Sequence, residues 1–453
     1  MVTSRMRRRL TAAAGLTAAS LALTGCFGAT VDGVFPGAAG GGGGDLPVPG
    51  VTDSTVKVGF IVTDLGTVSS SLGFTTPDQG DGKAQVKALV DAANAQGGLG
   101  GKQIEPVVVV FEAADDSPEA EEALCKKLTQ DEKVFAVVLT GQFQANARPC
   151  YAQAGTVMLD AALVPQDQQA YEELSPYLWA PSLPVYDDFT AGLLQTLTTQ
   201  PYLDDAQGAS VGIVAVEDPS TRRQVENILD PGLKQAGVGS IDTYWIKTET
   251  VNDINVGLGE AALGLKTKGT EHVIFMGGAR MAPFFMLSAA ANELISQYAI
   301  STWDSPTFMT GNPATVPQEG LPGSVGVGVG PAWDVETDQL AFPQPREQQC
   351  VDILSGAGIT FASRGEARTA LLYCDSVFFL KAGLDKATTT SATAFKEGAA
   401  TLGEEFQAAT SFGTLFEADH YAGTSAYRAL SYDVACKCYT YATEVTPLPD
   451  AAT

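Results

Sequence analysis

From residue 56 onward the chain alternates short β-branched apolar runs with amphipathic helical stretches, and this order restricts the fold more than any other feature. Apolar runs buried on both faces, each followed by a helix, are the pattern of a parallel sheet covered by helices. Residues 56–62 read as a first strand, 82–96 as a helix closed by Gly97 and Gly98, and 104–111 as a second strand. A helix over 118–130 follows, with Ser117 as its cap and Glu119, Glu121 and Glu122 in the first turns, where the helix dipole favours acids. Residues 134–139 read as a buried strand, 146–154 as a short helix and 156–159 as another strand. A second cycle opens after Pro181 and Pro184, with helices over 186–197, 221–235 and 254–265 alternating with strands over 210–216, 241–246 and 272–276. The spaced glycines of 323–330 leave one strand face bare and read as a crossing segment. Helices are expected over 343–356 and 366–387, and short strands over 411–416 and 427–432. At ~150 residues per domain this body is too long for one core, so two doubly wound lobes in sequence are expected, with ligand sites beyond the carboxyl ends of their strands.

The first residues stand apart. Arg5, Arg7, Arg8 and Arg9 precede an apolar run over 10–23, which is an export signal and is shorter than the ~20 residues a membrane-spanning helix needs. The run ends in Leu23-Thr24-Gly25-Cys26, which resembles the lipobox of bacterial lipoproteins, where small residues precede a cysteine that receives diacylglycerol. Residues 27–50 hold five consecutive glycines at 40–44 among Pro36, Pro47 and Pro49, a flexible tether. They lack the Lys-Ser/Thr and the preceding strand of a phosphate loop. No later stretch spans a membrane, so the lipid would be the only anchor.

The formal net charge of -25 includes the four leader arginines, so the remainder is more acidic still. Nucleic acid and anionic lipid surfaces are poor partners for such a field, and acidity of this kind keeps an exported protein soluble. With Cys26 assigned to lipid, Cys125, Cys150, Cys350, Cys374, Cys436 and Cys438 remain, an even set that reads as three disulfides in an oxidising compartment. A structural metal lacks ligands, because Cys436 and Cys438 have no second close pair and the only histidines are His272 and His420. Those histidines also argue against a catalytic triad: one falls inside an apolar strand and the other in a polar turn. No Gly-x-Ser-x-Gly elbow is present.

Val56-Lys57-Val58-Gly59-Phe60 opens the sheet, Val90-Asp91-Ala92-Ala93-Asn94 leads into Gly97-Gly98-Leu99-Gly100-Gly101-Lys102, and Asp115-Asp116-Ser117-Pro118 precedes the helix with Cys125 and the strand Phe135-Ala136-Val137-Val138. In this order the motifs, over residues 54–445, resemble the type I periplasmic binding proteins of the branched-chain amino-acid and amide-binding kind, ABC-transporter substrate-binding lipoproteins. The resemblance implies an α/β fold of two doubly wound parallel-sheet lobes joined by a multi-strand hinge. Residues 1–25 would be the signal peptide and 26–53 the lipidated tether. Lobe one would be 54–184 plus 327–408, and lobe two 185–326 plus 409–453. Pairing within lobes then joins Cys125 to Cys150 and Cys350 to Cys374, leaving Cys436 with Cys438, since a bridge between lobes would lock the hinge.

The resemblance places binding on loops at the cleft. On lobe one these carry Thr63 with the long 66–82 loop, Gln142, Phe143, Asp160 and Ala161, and on lobe two Asp218, Ser220, Gly278 and Arg280. Asp218-Pro219-Ser220-Thr221 stands where amino-acid binders of the family carry an aromatic residue, and their acidic partner for the ligand ammonium is missing near Gly278. Arg280 offers a fork for a carboxylate or, equally, starts a surface helix. Trp303 and Trp333 are candidates for stacking or for core packing. The expected function is capture of a small polar ligand (an amino acid, amide, carboxylate or short peptide) without a cofactor, and its delivery to an ABC permease from the outer face of the bacterial cytoplasmic membrane. A ligand-sensing or interaction lipoprotein of the same fold is the alternative.

Overall fold

The computed structural model describes residues 48–66, 73–203, 210–278, 281–336 and 339–451. The expected leader, Cys26, most of the tether, Arg280 and part of the 66–82 loop lie outside the described residues.

The first sheet has five parallel strands: β1 (Thr55–Asp64), β2 (Gln103–Glu112), β3 (Ala136–Leu139), β4 (Val157–Asp160) and β5 (Leu178–Trp179), in the order β2-β1-β3-β4-β5. β1 pairs with β2 from Thr55 against Gln103 to Asp64 against Glu112. β3 and β4 are buried along their whole length, which is why β3 is an unbroken apolar run and β4 is apolar up to Asp160 rather than alternating. The helices between them start where the sequence supplies caps. The Asp81 carboxylate accepts the Lys83 and Ala84 amides at the head of α1 (Gly82–Ala95), and the Ser117 hydroxyl accepts the Ala120 amide at α2 (Pro118–Lys126). Two short helices, α3 (Arg148–Gln153) and α4 (Gln168–Glu173), complete this winding.

The chain then crosses and winds a second sheet. Its elements are α5 (Tyr186–Thr199), β6 (Ser210–Val216), α6 (Pro219–Gln224), α7 (Asp230–Gln235), β7 (Ser240–Ile246), α8 (Val251–Lys268), β8 (His272–Met276), α9 (Met281–Ala291), β9 (Gln297–Ser301), α10 (Pro306–Gly311) and β10 (Val325–Gly328). After α11 (Pro331–Asp334) it returns to the first core with α12 (Gln348–Gly356), α13 (Arg364–Lys386) and α14 (Ala392–Ala399). It closes on the second sheet with β11 (Ala426–Asp433), β12 (Cys438–Tyr441) and β13 (Thr446–Pro447), all antiparallel. That sheet runs β12-β11-β10-β9-β8-β6-β7, with β13 on β11. Two crossing segments lie side by side: the Ala180 amide donates to Tyr421 O and the Gly423 amide to Ala180 O, at 3.0 and 2.8 Å.

The glycine spacing of 323–330 has a packing cause. Val325, Val327 and Val329 enter the second core, whereas a Cβ on Gly326 would sit 2.0 Å from the Ile300 carbonyl oxygen of β9, and one on Gly330 would sit 2.8 Å from the Trp333 ring. Elsewhere the structure departs from expectation. Residues 411–416 hold only isolated bridges, Gly403 with Phe416 and Thr414 with Thr424, because no continuous partner strand lies beside them. The helix expected from 343 begins at Gln348, since the Glu347 carboxylate takes the Gln344 amide and binds Arg364, holding the residues before it in a turn. The helix expected over 221–235 begins at Pro219 and carries a π turn, Val225–Leu229. Disulfides join Cys125 to Cys150, Cys350 to Cys374 and Cys436 to Cys438; the first two staple helices of the first core and the third closes the turn into β12.

Candidate functional site

Between the two sheets lies a partly open cavity of about 400 Å³. Its floor on the first side is made at strand ends. Thr63 closes β1 and donates its hydroxyl to Thr140 O at 2.5 Å, and Gly141 follows β3 with φ +75°. A side chain at Gly141 would meet Thr63 Oγ1 at 2.7 Å, so this close approach needs glycine as well as its left-handed backbone. Phe143, Ala161 and Leu163 continue this wall. Helical residues of the second side face them: Ile254 from α8, Pro283 and Phe284 from α9, and Phe308 from α10. Ser305, at φ +53°, and Trp333 line it near the second crossing.

A third wall comes from segments remote in sequence. The loop after β1 reaches across to the second core, where Phe74 packs edge-on against Phe308 and Phe284 at 4.9 and 6.0 Å between ring centroids. Asn312 fixes that loop by accepting the Thr75 amide at 2.6 Å and donating to Thr75 O at 3.0 Å. Arg368, Thr369 and Leu372 project from α13 into the same space. Burial pushes the Arg368 guanidinium down to about 10, against an opposing pull from Glu336. Among the described residues Arg368 donates no hydrogen bond and forms no ion pair.

Of the residues expected to bind, Thr63, Phe143 and Ala161 are brought together in the cavity wall. The others have different surroundings. Gln142 is 2% exposed, with both amide atoms unpaired, and lies outside the wall. Asp160 is buried in an ion pair with Arg148 at 2.6 Å and accepts the Ala162 amide at 3.1 Å. Glu121 stands in the same group; burial raises its carboxyl to about 7 although Arg148 opposes the rise. Asp218 caps α6 by accepting the Thr221 amide. Ser220 donates to Asp167 at 2.9 Å, and Gly278, at φ +126°, packs close to Leu163 O without entering the wall. Trp333 faces the cavity, whereas Trp303 is core, 4.3 Å from Phe189 between ring centroids. The 66–82 loop, expected at the cleft, contributes Phe74, Thr76 and Gln79 to the wall, whereas the sequence carries no local signal for Arg368 and Thr369. No grouping of His, Cys, Asp and Glu among the described residues is arranged to hold a metal ion. His420 bonds Leu415 O through Nδ1 and His272 is buried in β8, both away from the cavity.

No family model matches the sequence, and no curated protein matches it. Solved structures share its fold. An ABC transporter substrate-binding protein from Aeropyrum pernix superposes with a TM-score of 0.62 at 13% identity, over 88% of this chain and 98% of that one. A solute-binding protein of an ABC transporter from R. palustris, in complex with 4-hydroxybenzoate, gives 0.61 at 16% identity over 88% and 98%. A branched-chain amino acid transporter substrate-binding protein from Streptococcus pneumoniae, in complex with isoleucine, gives 0.54 at 17% identity over 87% and 100%.

Proposed function

We propose that this chain, which has the fold of the type I periplasmic binding proteins, is an exported lipoprotein that captures a small ligand between two lobes and passes it to an ABC permease. The observation that carries the reading is the cavity: a space of about 400 Å³ lined from both sides and bordered by a loop that reaches from one to the other. Its size falls at the lower end of the ~300–1,000 Å³ range of small-molecule sites, and its wall is apolar with few polar groups. The three proteins of similar fold described above are substrate- or solute-binding proteins of transporters, and two of them hold 4-hydroxybenzoate and isoleucine.

The lobes of this reading are the two sheets with their helices, and the hinge is the set of crossing segments near Ala180, Gly330 and Gly423. No helix among the described residues is long and apolar enough to cross a membrane, so attachment is assigned to lipid on Cys26. A thermal-shift screen of amino acids, amides, carboxylates and short peptides tests capture, because a ligand that binds only the folded state raises its melting temperature. At least one class is expected to stabilise the protein and to compact it in solution scattering. A screen without any stabilising compound, or stabilisation without compaction, overturns the reading. The anchor is tested separately: Cys26→Ser should release the protein from the membrane fraction, and retention there refutes lipidation.

A further inference from the structure

The chemistry of the cavity wall narrows the ligand. Most of the wall is hydrocarbon, and Phe74, Phe143, Phe284, Phe308 and Trp333 bring aromatic surface to it from both sides. Several of its hydroxyl protons are already committed within the protein. Thr63 donates to Thr140 O, Thr140 donates to Ile61 O at 2.6 Å, and Thr369 donates to Gln79 Oε1. The side-chain donors left to a ligand are the Arg368 guanidinium, the Ser305 and Thr76 hydroxyls, the Gln79 and Asn255 amide nitrogens and the Trp333 indole nitrogen, none of which makes a hydrogen bond among the described residues. On the acceptor side, Asp116 is the one carboxylate in the wall among the described residues, and it is already engaged. An ammonium group would therefore enter without a free counter-charge.

Arg368 is the outlier in this wall. It is half-buried and lines the cavity, and Glu336, the charge that acts on it, is exposed and has a partner of its own. A half-buried guanidinium without a bonded anion leaves its hydrogen-bonding capacity unmet by the protein, and a planar carboxylate satisfies it through two parallel bonds. We infer that the cavity takes a monocarboxylate with an apolar, ring-sized body and no ammonium group, its carboxylate held by Arg368 and its body against the aromatic wall. This rests on the capture function proposed above. It places anion recognition on α13, in a part of the chain far from the strand-end loops.

The test uses the full folded chain and four defined probes, phenylacetate, 3-phenylpropionate, indole-3-acetate and hexanoate, each with its amide, and phenylalanine and tryptophan as amino-acid counterparts. Calorimetric affinities are measured on the wild type and on Arg368→Met, whose side chain keeps the bulk and removes the charge. At least one carboxylate is expected to bind. Its amide and the amino acids should bind at least about tenfold more weakly, and Arg368→Met should lose about tenfold or more for the carboxylate while keeping its amide affinity. Loss of amide affinity as well would show a damaged pocket and count against a charge-specific role. The inference is overturned if no carboxylate binds, if amide or amino acid matches it, or if Arg368→Met binds the carboxylate unchanged. A neutral or cationic compound that binds and compacts the protein would sink this inference and leave the capture reading standing; failure of every compound in the wider screen would sink both.

Discussion

Asp304 shows how one buried carboxyl ties stability to pH. It is 1% exposed and accepts both the Ser301 amide and the Ser301 hydroxyl at 2.8 Å, closing a capping box at the turn that carries Ser305 to the cavity. Burial raises it from 3.8 to about 7 against those two bonds. The folded state therefore holds this proton up to about 7, whereas the unfolded chain releases it near the ordinary value. Between those limits the folded state binds more protons, so stability falls as pH rises. Asp334 and Asp375 are raised to about 7 by burial too, and act in the same direction. Melting temperature should thus decline from pH 5 to pH 8. Asp304→Asn keeps an oxygen for both Ser301 donors and removes the charge, so its decline should be shallower and its stability at pH 8 no lower than the wild type's. The effect is on the order of a few kcal/mol at most. Equal slopes for the two proteins would refute the assignment. Several buried polar residues resisted reading from sequence for a related reason: Asp160, Asp218 and Ser220 looked like loop ligands, but Arg148, the Thr221 amide and Asp167 satisfy them, and those partners are set by the fold.

At the scale of elements, β10 carries a prediction that follows from its glycine spacing. Gly326 pairs with Ile300 of the neighbouring strand, and a methyl group there would meet the Ile300 carbonyl oxygen, a backbone atom that cannot rotate away. Gly326→Ala should cost about 1–3 kcal/mol in urea denaturation through overpacking. Gly259, inside α8 with nothing near its missing Cβ, is the contrast: Gly259→Ala should gain up to ~1 kcal/mol through helix propensity. If both variants shift in the same direction, the packing explanation fails. The same contrast explains what could be read in advance. Strands with long apolar runs and helices with caps, such as β3, α1 and α2, announce themselves by pattern. β5 and β13 are two residues each, too short for any period, and β9 mixes polar and apolar residues because its neighbours bury it. Thr63, Phe143 and Ala161 were legible as cavity residues because they follow strand ends, where parallel sheets place ligands. Arg368 was not, since only the return crossing brings α13 to the cavity, and nothing local in that helix marks the residue.

Across the whole molecule, contacts among the described residues that join the two sides beside the cavity include Arg223 and Ser220 with Asp167, Gln144 with Thr248 O at 3.1 Å, and the Phe74 loop through Asn312. Asp167 is the most committed of these residues. Burial pushes its carboxyl up, but Arg223, the Ala170 amide and the Ser220 hydroxyl together hold it below the ordinary range. Two of those three partners, Arg223 and Ser220, come from α6 on the opposite side, so separation of the sides would break their bonds and return Asp167 to water. Closing the molecule with Arg223 absent would instead bury that carboxylate with less compensation, which disfavours the closed arrangement. A ligand can shift such an equilibrium only by its differential contacts, so a weaker latch also demands more of the ligand. Arg223→Met is therefore expected to enlarge the radius of gyration of the ligand-free protein in solution scattering. It should also speed release of whichever carboxylate the binding panel identifies. Asp167→Asn in the same chain removes the uncompensated charge while keeping an oxygen for Ser220 and Ala170, so the double variant should recover part of the compaction lost by Arg223→Met. If Arg223→Met scatters like the wild type, or if the double variant is as open as the single one, the ion pair is not a latch and closure rests on the Phe74 loop and the aromatic wall.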